Sequence, residues 1–192
     1  SHLPPEQLTE LGLLAENYGI RALWNASYLE GRDPFTNLTD LARQSSRIKL
    51  APMALNGYEM HPFRMAMALQ TLNEIAQGRV ETMIGGGGEV VMALSIPFEK
   101  RVRYVREAIE LVKGATTQRP FTYKGELFTI DNYNPQWTTA EPPFIYAGAS
   151  RPQMLHMAAK TADGIFMSDL SVSLAKNAID SVHARQAEIG RD

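Results

Sequence analysis

Four consecutive glycines, Gly85-Gly86-Gly87-Gly88, follow a short apolar run that ends at Ile84. With no side chains in the way, such a run lets a planar ring or a phosphate come close to backbone N–H groups. The same four residues would serve equally well as a flexible loop or a tight turn. They do not reproduce the dinucleotide fingerprint, because its spacing is absent and no helix is expected directly behind them. A second small-residue stretch, Ala147-Gly148-Ala149-Ser150, ends another apolar run just before a helix start. Free N–H groups there suit an anion, and a plain strand-to-helix turn with a cap fits as well.

Other chemistry finds less support. The histidines His2, His61, His156 and His183 include no pair with metal-ligand spacing beside a carboxylate, so no metal is expected. His61 precedes Pro62 and reads as a capping or packing residue rather than a base. The serine-rich loops hold no nucleophile elbow and no serine, histidine and aspartate order, which leaves hydrolase chemistry without a basis. Lys100, Arg101, Arg103 and Arg106 read as the solvated face of a helix, since they interleave with its apolar stripe. Met65, Met67, Met154 and Met157 read as core packing.

Composition narrows the partner. Cysteine is absent, which excludes disulfides, thiolate metal sites and cysteine nucleophiles. A formal net charge of -2 leaves no electrostatic footprint for nucleic acid or an anionic membrane. The expected partner is a small molecule or another protein. No apolar run approaches the roughly 20 residues of a membrane span, and the N-terminus lacks a signal-peptide pattern, so a cytoplasmic enzyme is expected.

The elements that must hold these residues alternate along the chain between helical period and short apolar runs. A first helix after Pro4-Pro5 carries Leu8, Leu11, Leu14, Ala15 and Tyr18 on one face, with Gly19 placed to stop it. A strand over Ile20 to Asn25 follows. Asp33-Pro34 supplies an N-cap and first-turn proline for a second helix. Ile48 to Met53 is the next strand, Pro62 opens the next helix, and Val80 to Ile84 precedes the glycines. A long helix then carries Phe98, Val102, Val105, Ile109 and Val112, with Gly114 at its end. Phe121 to Tyr123 and Leu127 to Ile130 form a hairpin outside the alternation. Phe144 to Ala147 and Ile165 to Ser168 are the last strands, each followed by a helix. Five strands with helical crossovers require a parallel α/β sheet, which periodicity alone cannot resolve into an open sheet or a barrel. Residues 1–192 read as one domain.

Several runs, in order, resemble the bacterial luciferase-like family. They are Ala15-Glu16-Asn17-Tyr18-Gly19-Ile20 leading to Trp24, Asp33-Pro34-Phe35, and Ser46-Arg47-Ile48-Lys49-Leu50-Ala51-Pro52. Asn56-Gly57-Tyr58-Glu59-Met60-His61-Pro62, Gly78-Arg79-Val80 with the glycines, and Ala162-Asp163-Gly164-Ile165 continue the match. Tyr123-Lys124-Gly125-Glu126 looks like the family's inserted hairpin, here near 121–130. The likeness is greatest to the deazaflavin-dependent branch that includes methylenetetrahydromethanopterin reductase.

The resemblance implies a TIM (β/α)8 barrel, of which the five strands would be the second to sixth, leaving the barrel incomplete. It implies coenzyme F420 as cofactor, with FMN and monooxygenase chemistry as the alternative, and hydride transfer to or from a small organic substrate. A bulge with a non-prolyl cis peptide at Met53-Ala54 would support the ring from behind. Asn56, Gly85 to Gly88, Ala147 to Ser150 and Ser168 would line the cofactor. At the end of the first strand here, the family's aspartate and histidine are replaced by Ser27 and Tyr28. A phenol donates a hydrogen bond but is a poor base near neutral pH. Glu89, one place beyond the family's acidic position, completes the implied catalytic set. The departure at Ser27 and Tyr28 also admits a non-catalytic binding or interaction protein on the same scaffold. An incomplete barrel would leave two sheet edges unpaired, so a fragment of a longer protein, or a homo-oligomer such as a dimer, is expected.

Overall fold

The computed structural model describes residues 2–97 and 99–190. In chain order the elements are α1 (Pro5–Asn17), β1 (Ala22–Ala26), α2 (Pro34–Asn37), α3 (Thr39–Gln44), β2 (Lys49–Met53), α4 (Pro62–Ile75) and β3 (Glu81–Ile84). Then come α5 (Glu89–Ala93), α6 (Arg101–Thr117), β4 (Phe121–Lys124), β5 (Thr129–Tyr133), β6 (Phe144–Gly148), α7 (Pro152–Thr161), β7 (Gly164–Phe166) and α8 (Val172–Glu188). Strand β1 pairs in parallel with β2, and β3, β6 and β7 form a second parallel set in that order. Backbone bonds from Leu50 to Arg79 (3.0 Å) and from Leu55 to Met83 (2.9 Å) join β2 to β3. The five parallel strands therefore follow one another, and the sheets they form do not close among the described residues. No described helix is long and apolar enough to cross a membrane.

Helices cover one side of the strands. Leu50, Leu69, Ile109, Leu111 and Ile145 are fully buried in one apolar core. Trp24 on β1 meets Tyr146 on β6 and Phe166 on β7, with ring centroids 5.4 and 5.0 Å apart. At the start of the strands, Arg21 donates twice to the buried Glu81, at 2.9 and 2.8 Å, a forked pairing that fixes β1 against β3.

Several expectations are corrected. Helix α1 buries Leu8, Thr9, Gly12 and Glu16, whereas Leu11, Leu14 and Tyr18 are exposed. Gly12 leaves the space that Leu41 fills, and the Glu16 carboxylate accepts from the backbone N–H groups of Ser46, Arg47 and Ile48. These two contacts set the rotation of the helix and leave Leu11, Leu14 and Tyr18 of the expected stripe outside, while Leu8 stays in the core. Ile20 does not begin a strand. Its N–H bonds to Ala15 at 3.0 Å while Gly19, at φ +76°, donates to Glu16, which closes α1 in the αL turn that favours glycine. Gly114 lies inside α6, not at its end, because the Phe121 ring occupies the place of its missing side chain. The second hairpin strand begins at Thr129 rather than Leu127. The N–H groups of Glu126, Leu127 and Phe128 are taken by the buried Glu107 carboxylate at 3.1, 2.8 and 3.2 Å. A helix, α5, does follow the glycines directly. Phe98 lies outside the described residues.

Candidate active site

In a parallel α/β fold every strand delivers its chain to the same end, so loops after the strands share one rim. That rim holds a cavity of about 670 Å³. Of the residues singled out in the sequence, Ser27, Tyr28, Ala54, Asn56, Gly85, Gly86, Gly87, Gly88, Glu89, Gly148, Ala149, Ser150 and Ser168 line it. Met53 and Ala147 do not. Met53 is half-buried at the end of β2, and Ala147 is buried within β6. The Met53–Ala54 peptide bond is cis, and the Met53 carbonyl accepts from the Ser27 N–H.

The glycine wall has two physical origins. Gly87 adopts φ +78°, where a side chain would be strained. Gly86 and Gly148 are instead spatial: a Cβ on the first would lie 2.8 Å from Arg101 Cδ, and on the second 2.7 Å from Met83 Sδ. At Gly88 a Cβ would meet nothing within 4 Å, so that stretch of backbone faces open space.

Two loops, which follow the adjacent strands β1 and β2, border the cavity. The first, after β2, is held from several directions. The Asn56 side-chain oxygen accepts from the N–H groups of Tyr58 and Glu59 at 3.1 and 3.0 Å, and its amide nitrogen donates to the Glu59 carboxylate. Tyr58 stacks on Tyr104 of α6, with centroids 3.8 Å apart and planes 13° from parallel, and donates to the Glu99 carbonyl at 2.8 Å. Burial raises the pKa of both phenols, so they stay neutral donors. His61 caps α4, its Nδ1 accepting from Phe63 N–H at 3.2 Å, which is the capping role read from the sequence. The second loop, after β1, carries Tyr28, which is 56% exposed, and is tied across to the glycine loop by Glu89, which accepts from Leu29 N–H at 3.1 Å.

Sequence reasoning did not assign Glu59, Met83, Val90, Arg101, Val102, Arg151, Gln153, Met154 or Phe166 to the cavity lining, and Met154 and Val102, read as packing residues, do line it. Arg101 is the clearest correction, because it faces the cavity instead of belonging wholly to a solvated face. Lys100 and Arg103 do turn outward, to Glu126. The missed signal was position: Arg101 opens α6, the long helix of the crossover between β3 and β6, and the starts of such helices lie at the strand ends. Glu59 carried a local signal too, since it stands three residues after an asparagine that could bind its loop.

A parallel sheet that raises a glycine-walled cavity at the carboxyl ends of its strands defines a parallel α/β protein whose cavity lies where ligand sites of that class are found. The chain belongs to the luciferase-like monooxygenase family, whose profile it matches over residues 2–192. It is 32% identical to a 5,10-methylenetetrahydromethanopterin reductase of Archaeoglobus fulgidus over 179 residues, which cover 93% of this chain and 54% of that protein. It is 28% identical to an F420-dependent glucose-6-phosphate dehydrogenase of Nakamurella multipartita, over 83% of this chain and 51% of that one. The solved coenzyme F420-dependent tetrahydromethanopterin reductase of Methanopyrus kandleri shares the fold, with a TM-score of 0.86 at 23% identity, over 99% of this chain and 60% of that one. The chain thus spans little more than half the length of these relatives.

Proposed function

We propose that the protein is an oxidoreductase that transfers hydride between coenzyme F420 and a small organic substrate. The observation that carries this reading is the cavity wall itself, where side-chain-free backbone at Gly85 to Gly88 and the cations Arg101 and Arg151 line one space. A flat ring with an anionic tail fits such a wall, since glycine backbone admits a ring face and guanidinium groups suit a phosphate. The names of the relatives support the same choice. When bound, the deazaflavin supplies the carbon that gives or takes hydride. The protein's own part is to bind and orient. Asn56 keeps the loop after Ala54 in place, Glu89 holds the Tyr28 loop against the glycines, and the Tyr28 hydroxyl donates a hydrogen bond to the substrate. Ser27, Gly148, Ala149, Ser150 and Ser168 complete the lining in this reading.

The same proposal takes the five parallel strands as the second to sixth of an eight-stranded barrel, with the free edges of β1 and β7 covered by further chain or by a second copy. Light scattering tests the latter: a compact monomer of this chain with no tendency to associate would argue against it. The function is tested by fluorescence titration of the whole protein with coenzyme F420 and with FMN. Tighter binding of F420 is expected, and equal or reversed affinity would sink the reading.

A further inference from the structure

Glu59 differs from the other polar residues of the cavity in how it is held. Its backbone N–H is bound by the Asn56 side-chain oxygen at 3.0 Å, and the Asn56 amide nitrogen donates to its Oε1. Asn56 is itself only 4% exposed, while Glu59 is exposed and its two bonds to Asn56 are part-buried. Gly57 underlies the arrangement, because a Cβ there would lie 2.8 Å from the Tyr104 ring that stacks on Tyr58. The loop therefore has little freedom to turn Glu59 away. Glu59 lines the cavity and enters no ion pair among the described residues. Its Oε2 has no hydrogen-bond partner there either.

A carboxylate accepts and cannot donate while ionised. One oxygen committed to a buried amide and the other without a partner among the described residues make an exposed acceptor at the edge of the cavity, and a ligand group that meets it must bring a donor. A ligand carboxylate or phosphate at that place would face like charge. Arg101 and Arg151 line the same cavity and suit an anion, so Glu59 adds a requirement of opposite sign.

The geometry points to Glu59 as a specificity-determining residue that selects a substrate presenting an N–H donor, as in an amine, amide or amidine, over one presenting an anion. This deepens the hydride-transfer reading and rests on it for the cavity's being the substrate site. The test uses benzamidine and benzoate, which share a ring and differ in the sign of the head group. Each is titrated by NMR into the protein alone and into protein loaded with F420, for wild type, Glu59→Gln and Glu59→Ala. Benzamidine affinity should fall about ten-fold in both variants, the size of one lost charge-assisted hydrogen bond, while benzoate affinity holds or improves. Melting within about 2 °C of wild type would show the loop intact. Absent benzamidine binding, unchanged affinity in the variants, or an equal loss for both probes would overturn the assignment. Failure of F420 to bind would count against the cofactor reading separately, because the benzamidine series on the protein alone does not depend on it.

Discussion

The two loops that bound the cavity are built on opposite principles. The loop from Ala54 to His61 is held by a buried asparagine, a stacked tyrosine pair and a helix cap. The loop from Ser27 to Gly31 is held by backbone bonds from Ser27 to Met53 and from Gly31 to Tyr28, and by the single reach of Glu89 to Leu29. Its side chains Tyr28 and Leu29 are 56% and 54% exposed. The contrast separates a rim with buried side-chain fastenings from one held by backbone bonds and an exposed carboxylate. Regions with few buried contacts open at low free-energy cost, and binding loops are commonly drawn from them.

The strongest way to break this contrast is Gly57→Val. Its side chain would strike the Tyr104 and Phe128 rings, at 2.8 and 3.1 Å from Cβ, so both rings must shift to admit it. A loss of about 2–3 kcal/mol in urea unfolding is expected, with weaker F420 binding alongside. Acid offers a second comparison, at an anchor far from both rims. Burial alone would raise the pKa of Glu16, but the N–H groups of Ile48, Arg47 and Ser46 and the Ser46 hydroxyl together lower it from 4.5 to about 2. A carboxylate with a depressed folded pKa contributes stability that is complete above pH 4.5 and is lost as pH falls toward 2. Urea midpoints measured across that interval should decline, and Glu16→Gln should flatten the decline while lowering stability at neutral pH.

On the looser rim, Tyr28→Phe should lower turnover about ten-fold, with F420 affinity and the urea midpoint nearly unchanged, as befits an exposed side chain. Full activity would return Tyr28 to a bystander. The smallest effect is expected from Glu89→Ala, which frees the Leu29 N–H. Faster hydrogen exchange at Leu29 and a loss of about 0.5–1 kcal/mol should appear, because the lost bond is exposed. If Gly57→Val and Glu89→Ala cost the same, the distinction between the rims fails.

What could be read in the sequence follows the range of the forces involved. The Asp33 and His61 caps and the alternation of strands and helices depend on residues within a few positions of one another, and they stand where they were expected. The cis bond at Met53–Ala54 came from family likeness, not from any local pattern. The rotation of α1, the interior place of Gly114 and the turn of Arg101 toward the cavity depend on Leu41, Phe121 and Gly86. Those partners are distant in sequence, except Phe121, and none announces its contact by residue type. Amphipathic period located α1 but could not say which side faced in, because a glycine and a glutamate outranked three apolar residues there.

The hairpin inserted between α6 and β6 bears on the cavity without lining it. Phe128, at its turn, packs edge-on against Tyr104 with centroids 4.9 Å apart, and Tyr104 stacks on Tyr58, the neighbour of Glu59. The buried Glu107 ties that turn to α6 through three backbone bonds. A solvent-facing insertion is thereby coupled to the cavity rim through two ring contacts. A change that moves Phe128 alters the bed on which the rim rests, so the shape of the cavity can be altered from a residue that does not line it.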